Sequence, residues 1–83
     1  MSEQKPVLYF FSECGYCQRV LGTMTNFKAR DHFTLKNIRE NADYEKELVD
    51  LCGDTQVPTL VADGKPMRES EAIIGWLADK YAP

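Results

Sequence analysis

Cys14-Gly15-Tyr16-Cys17 sets two thiols three residues apart, where an apolar run from Val7 to Phe11 gives way to a helical pattern. The residue types and their spacing allow redox or metal chemistry. A thiol in the first turn of a helix faces unpaired backbone N–H groups and the positive end of the helix dipole, both of which favour thiolate over thiol. Cys14 is therefore the candidate nucleophile. Cys17, one turn further in and nearer the core, lies within reach for a disulfide and suits a resolving thiol. Structural zinc asks for four ligands, and beyond the pair the chain offers only Cys52 and His32, at no familiar spacing. No metal site is assigned.

The elements that must hold this pair follow from the hydrophobic pattern. Lys5 to Phe11 is rich in β-branched and aromatic residues with little polar alternation, which predicts a central strand buried on both faces. Val20, Leu21, Met24 and Phe27 then recur at helical spacing, and the pattern predicts a helix from Gly15 to Ala29. Phe33, Leu35 and Asn37 alternate against Thr34, Lys36 and Ile38 as a short second strand. Asn41 or Asp43 can cap a second helix, with Tyr44, Leu48 and Leu51 as its stripe and Gly53 as its stop. This opening implies a parallel strand pair with a right-handed crossover. Thr59 to Ala62 reads as a third strand, Asp63-Gly64 as a hairpin turn, and Lys65 to Arg68 as an edge strand carrying Pro66. A last helix starts at Ser70 and buries Ile73, Ile74, Trp76, Leu77 and Tyr81. The order βαβαββα predicts an α/β fold with a four-stranded mixed sheet, and it places the dithiol at the carboxyl edge of a strand, where open α/β sheets build their sites.

Composition narrows the function classes. Eighty-three residues make one domain, residues 1–83, with one modest core. The net charge of −3 and the interspersed acidic and basic residues argue against nucleic acid as the main partner. Met1 to Lys5 is polar, and the apolar run after it is too short for a signal peptide or a membrane span. Three cysteines with one close pair do not suit a secreted disulfide framework, so a cytoplasmic location is expected.

With this order of elements, the Cys14-Gly15-Tyr16-Cys17 pair and the Gln56-Val57-Pro58 turn before the third strand, the chain resembles the glutaredoxins of the thioredoxin superfamily from Val7 to Tyr81. The resemblance implies a thioredoxin-like fold with helices on both faces of the sheet and a cis Pro58 beside the reactive cysteine. It further implies that the Val57 backbone pairs with the cysteinyl part of glutathione like an added β-strand, holding the tripeptide's sulfur at Cys14. Two departures stand out. Phe11 occupies the place of a common Lys or Arg three residues before the nucleophile, and Glu13 adds a negative neighbour, which leaves Cys14 to the helix terminus and the N–H donors, including that of Gly15. The glutaredoxin signature before the last helix is replaced by Arg68-Glu69-Ser70-Glu71-Ala72-Ile73, which looks like the glutathione-binding segment in the N-terminal domains of glutathione transferases. That similarity implies that Ser70 and its helix N–H groups hold the γ-glutamyl carboxylate and Glu69 the ammonium, as the charge at a helix start allows. The plainer alternative is that Ser70 caps the helix and Glu71 improves its dipole.

Gln56, where related transferases often place a donor, and Arg39 are the candidates for the glycine carboxylate, and Tyr16 is placed to flank the ligand; each is equally readable as a surface residue. Cys52 reads as a small buried thiol and His32 as solvated. Tyr9, Phe10, Phe11, Phe27 and Trp76 read as core. The resemblance implies a monomeric glutathione-dependent dithiol oxidoreductase that reduces glutathionylated proteins and protein disulfides through Cys14 and Cys17, with glutathione as co-substrate. The alternatives are a dimer holding a glutathione-ligated [2Fe–2S] cluster, which Gly15 leaves open, and a glutathione-transferase-like N-terminal domain.

Overall fold

A computed structural model describes residues 5–82, so that the first four residues and Pro83 lie outside the described part. β1 (Val7–Phe10) is the central strand. It pairs in parallel with β2 (Thr34–Asn37), Leu8 opposite Leu35, and antiparallel with β3 (Thr59–Ala62), Leu8 opposite Leu60. β4 (Lys65–Met67) adds to β3 with Pro66 opposite Val61, giving the order β2-β1-β3-β4. Pro66 thus sits on an edge strand, where its missing N–H costs no ladder bond. The Asp63-Gly64 turn has both residues at positive φ, 54° and 77°, the geometry that matches the twist of a tight hairpin.

Side chains alternate along β1, and each face meets its own helices. Leu8 and Phe10 point to α1 (Gly15–Asn26) and α3 (Ser70–Tyr81), where Val20, Leu21, Met24, Leu60, Ile73 and Leu77 form the larger core. Val7, Tyr9 and Phe11 point to α2 (Ala42–Cys52), which buries Leu48 beside Ile38. The expected four-stranded mixed sheet with helices on both faces is the fold observed. The aromatic residues expected in one core are divided between its faces, Tyr9 and Phe11 on one and Phe10, Phe27 and Trp76 on the other.

Several boundaries differ from the sequence reading. α1 stops at Asn26 rather than Ala29, because Lys28 turns left-handed at φ 55° and the Ala29 N–H folds back to the Met24 carbonyl at 2.8 Å. A lysine in that conformation carries none of the glycine signal that marks most helix ends. α2 does end on a left-handed Gly53 and is capped by Asn41, whose Oδ1 accepts the Asp43 N–H at 2.9 Å. Its buried line is Tyr44, Leu48 and Cys52 at spacing four, which leaves Leu51 half exposed instead of in the stripe. β2 is one residue shorter at each end than the Phe33–Ile38 run expected, and β4 ends at Met67, one residue before Arg68.

Candidate functional site

The loop joining β1 to α1 is fixed from both sides. Gln18 Nε2 donates to the Ser12 carbonyl at 2.6 Å, and Asn37 Nδ2 at the end of β2 donates to Ser12 Oγ at 3.3 Å. Cys14 then becomes the N-cap of α1, with extended backbone at φ −84° and ψ 121°. Its Sγ accepts the Cys17 N–H at 3.3 Å, one of the orphan donors of the first turn. Cys17 is fully buried. Burial pushes its thiol up to about 12, the hydrogen bond to Cys14 adding in the same direction, so that Cys17 stays protonated at neutral pH. All three cysteines are free thiols.

The side-chain charges next to the nucleophile are arranged differently from the expectation. Glu13 is exposed, and Arg39, from the segment after β2, lies 3.8 Å from its carboxylate and 3.8 Å above the centre of the Phe11 ring. The pair is exposed and of little energetic weight, yet it offsets the negative neighbour of Cys14. Arg39 is thus engaged on the β1–α1 side of the molecule.

A cleft of about 370 Å³ opens between the start of α1, the loop before β3 and the start of α3. Tyr16, Gln56, Val57, Pro58, Glu69 and Ser70, each singled out in the sequence, all line it, two residues along the chain from Cys14 in the case of Tyr16. The Val57–Pro58 peptide is cis. Among the described residues the Val57 backbone has no hydrogen-bond partner, which leaves it open to an added strand. Its loop is braced underneath. Thr59 Oγ1 donates to the Gln56 carbonyl at 2.8 Å, and the Gln56 N–H donates to Asp54 Oδ1 at 3.0 Å. Arg68 forks onto both Asp54 oxygens and holds that carboxyl below the usual range, while Asp54 raises the guanidinium in return. Gln56 Nε2 donates to the Arg68 carbonyl at 3.3 Å.

At the other end of the cleft, α3 begins without a side-chain cap. The N-cap is Glu69, not Ser70, and Ser70 is the first helical residue. The first helical backbone bond runs from the Ile73 N–H to the Glu69 carbonyl at 2.9 Å, so the N–H groups of Ser70, Glu71 and Ala72 come before the ladder starts. The capping role considered for the Ser70 hydroxyl is therefore not the one observed. Arg19, Arg68 and Glu71 also line the cleft, and sequence reasoning missed them. Arg19 lies three residues after Tyr16 on one helix face, a spacing that could have revealed it.

The remaining candidates lie elsewhere. Cys52 is half-buried at the end of α2, and His32 stacks on the Tyr81 ring with centroids 5.1 Å apart. A second cleft of about 230 Å³, lined by Thr25, Lys28, Arg30 and Asp31, sits at the far end of α1 and has no cysteine in its lining. Among the described residues no three His, Cys, Asp or Glu side chains gather as a metal cage, and no helix is long and apolar enough to cross a membrane.

The family described as "Glutathione S-transferase, N-terminal domain" matches residues 13–80, which takes in the dithiol, the Val57–Pro58 loop and the start of α3. The chain belongs to that family. This glutathione S-transferase N-terminal domain is 34% identical to a "Probable maleylacetoacetate isomerase" of Caenorhabditis elegans over 98% of this chain and 37% of the relative. Among solved structures it is similar to an epsilon-class glutathione S-transferase from the housefly, Musca domestica, at 28% identity and a TM-score of 0.74, over 93% of this chain and 35% of that one. Glutathione transferase Omega 3C from Trametes versicolor shares the fold at 24% identity and a TM-score of 0.78, over 99% of this chain and 37% of that one. The domain therefore spans little more than a third of the length of these relatives. The narrower glutaredoxin reading is not what the matches show. A dithiol and a Val-Pro turn are compatible with several branches of the thioredoxin superfamily, whereas Glu69-Ser70 is the segment that points to the transferases.

Proposed function

We propose that this domain binds glutathione in the cleft between α1, the Val57–Pro58 loop and α3, as the glutathione-binding part of a transferase-type protein. The observation that carries the proposal is the convergence of Tyr16, Gln56, Val57, Pro58, Glu69 and Ser70 on one cleft, at the end of α1 that Cys14 caps. The Val57 backbone takes the cysteinyl unit as an added strand, the open N–H groups at the start of α3 take the γ-glutamyl carboxylate, and Glu69 takes the ammonium. The ligand sulfur then lies toward Cys14.

A second reading concerns the chemistry, and the Cys14–Cys17 geometry favours it. In thiol–disulfide exchange the Cys14 thiolate attacks the glutathionyl sulfur of a mixed disulfide, the S–S bond breaks, and the partner thiol leaves with a proton from solvent. The Cys14–glutathione disulfide is reduced by a second glutathione, which leaves as the oxidised dimer. With protein disulfides, Cys14 attacks one sulfur and releases the other substrate thiol; Cys17 then gives its proton to the departing substrate sulfur and bonds to Cys14, and two glutathiones reduce that intramolecular disulfide and leave as the oxidised dimer. The similarity to transferases gives no support to the [2Fe–2S] alternative. A monomer working in a reducing compartment such as the cytoplasm, on glutathionylated or disulfide-containing proteins, completes the proposal.

Two assays run in parallel test it: reduction of a glutathione mixed disulfide coupled to glutathione reductase, and conjugation of glutathione to an electrophilic arene. Exchange activity that Cys14→Ser abolishes and Cys17→Ser preserves supports the second reading. Conjugation without exchange would leave glutathione binding intact and remove the redox role. Exchange retained by Cys14→Ser would sink the assignment of the nucleophile.

A further inference from the structure

One charged contact spans the cleft. Arg19 on α1 reaches across to the first turn of α3 and meets Glu71, with Nη2 2.8 Å from Oε2. Both side chains are largely exposed, at 53% and 75%, so this pair is worth little and is readily exchanged for another. The other cation in the cleft is not available in this way. Arg68 is committed to Asp54 and Thr59, and only a quarter of its side chain is exposed. Arg19 is thus the exchangeable positive charge facing the cleft. Its present partner projects from the second residue of a helix whose first three N–H groups lack a backbone acceptor and whose N-cap side chain makes no cap bond.

We propose that Arg19 is a specificity-determining residue that reads the γ-glutamyl α-carboxylate of the ligand, and that Glu71 is its resident competitor. The inference rests on the glutathione-binding reading above and adds two residues to it. In the empty cleft the Glu71 carboxylate satisfies Arg19. An incoming ligand carboxylate at the start of α3 takes the guanidinium, and Glu71 swings to solvent. Exchange of one exposed ion pair for another is nearly neutral, but the ligand carboxylate also gains the helix N–H donors, which makes the exchange favourable. Glu71 meanwhile sets a negative charge beside the incoming anion and lowers the affinity. Arg19 and Glu71 therefore act in opposite directions on the same ligand group.

Calorimetric titration of the 83-residue chain with S-hexylglutathione, and with its analogue carrying an amide at the γ-glutamyl α-carboxyl, tests this. Arg19→Ala is expected to weaken the carboxylate ligand about tenfold and the amide less than about twofold, with Arg19→Lys recovering part of the loss. Glu71→Gln is expected to strengthen the carboxylate ligand about threefold and leave the amide unchanged. If the wild type binds neither S-hexylglutathione nor glutathione, the glutathione-binding reading fails and this inference falls with it. If the wild type binds but Arg19→Ala matches it, or loses equally on both ligands, Arg19 is not the carboxylate reader while glutathione binding stands. Weakened binding in Glu71→Gln would overturn the competitor role and make Glu71 part of the binding surface.

Discussion

The sheet is covered differently on its two faces. Over one face, α1 and α3 pack Val20, Met24, Ile73 and Leu77 against Leu8 and Leu60, all fully buried. Over the other, α2 buries Leu48 but shares the space with a polar group: the Tyr9 hydroxyl donates to Glu47 Oε1 at 3.0 Å, and Lys36 Nζ meets the same oxygen at 2.7 Å. Lys36 also lies over the Tyr9 and Tyr44 rings, 5.8 and 5.3 Å from their centres. The cleft draws two of its three walls from the apolar face, the start of α1 with Tyr16 and Arg19 and the start of α3 with Ser70. Their separation is therefore set by close packing, which tolerates little change, whereas the α2 face contributes stability that can be adjusted by protonation.

The largest contrast lies between thiols. Cys14→Ser, at the cap of α1, is expected to remove glutathione-dependent exchange to background, whereas Cys52→Ser, at the end of α2, leaves it unchanged in the same coupled assay. Next come the cores. Leu77→Ala is expected to cost about 2–5 kcal/mol of unfolding free energy in urea and to weaken glutathione binding as the α1–α3 spacing loosens. On the α2 face, Tyr9→Phe is expected to cost only about 1 kcal/mol, since Glu47 keeps Lys36, and to leave ligand affinity unchanged. Equal effects of these two changes on affinity would erase the distinction between the faces.

The last contrast is read by pH. Desolvation, helped by the neighbouring Glu47, raises the Tyr9 phenol from 10.0 to about 12. A proton is therefore held more tightly in the folded chain, and the stability this brings is complete below pH 10 and lost as pH rises toward 12. The Cys17 thiol, raised from 9.0 to about 12, loses its share over pH 9 to 12, so the difference between wild type and Tyr9→Phe isolates the phenol. Glu47 moves the other way. Lys36 holds its carboxyl below the usual range, and its stabilisation is present above the ordinary carboxylate pKa and fades as acid protonates it. Because Glu47 is 42% exposed, that acid-side loss is expected to be the weakest of the set in a pH series of urea melts.

Much of this was legible in the sequence because the signals were local. The Asp63-Gly64 hairpin, the Gly53 stop and the alternation along Val7 to Phe11 each encode their element within a few residues. The end of α1 was not legible, since Lys28 adopts a glycine-like conformation. Leu51 misled for a related reason: Leu and Cys both suit a buried stripe, and only the packing of Tyr44, Leu48 and Cys52 decides between positions 51 and 52. Within the site, the candidates named from the motifs do line one cleft, whereas the pairings between distant elements were not legible. Arg39 approaches Glu13 from 26 positions away and Arg19 meets Glu71 across 52 positions, and no spacing rule reaches so far. The family itself was half legible, because Cys14-Gly15-Tyr16-Cys17 draws attention to redox chemistry, whereas the match to the transferase domain spans residues 13–80.

The most direct test of the account is a backbone amide NMR titration of the chain with S-hexylglutathione. The account predicts that the largest shifts fall at Tyr16, Val57, Glu69, Ser70 and Glu71, with the amides of Leu48 and Val49 on α2 little moved. Shifts confined to Thr25, Lys28, Arg30 and Asp31 at the second cleft, or an unchanged spectrum at saturating ligand, would contradict it.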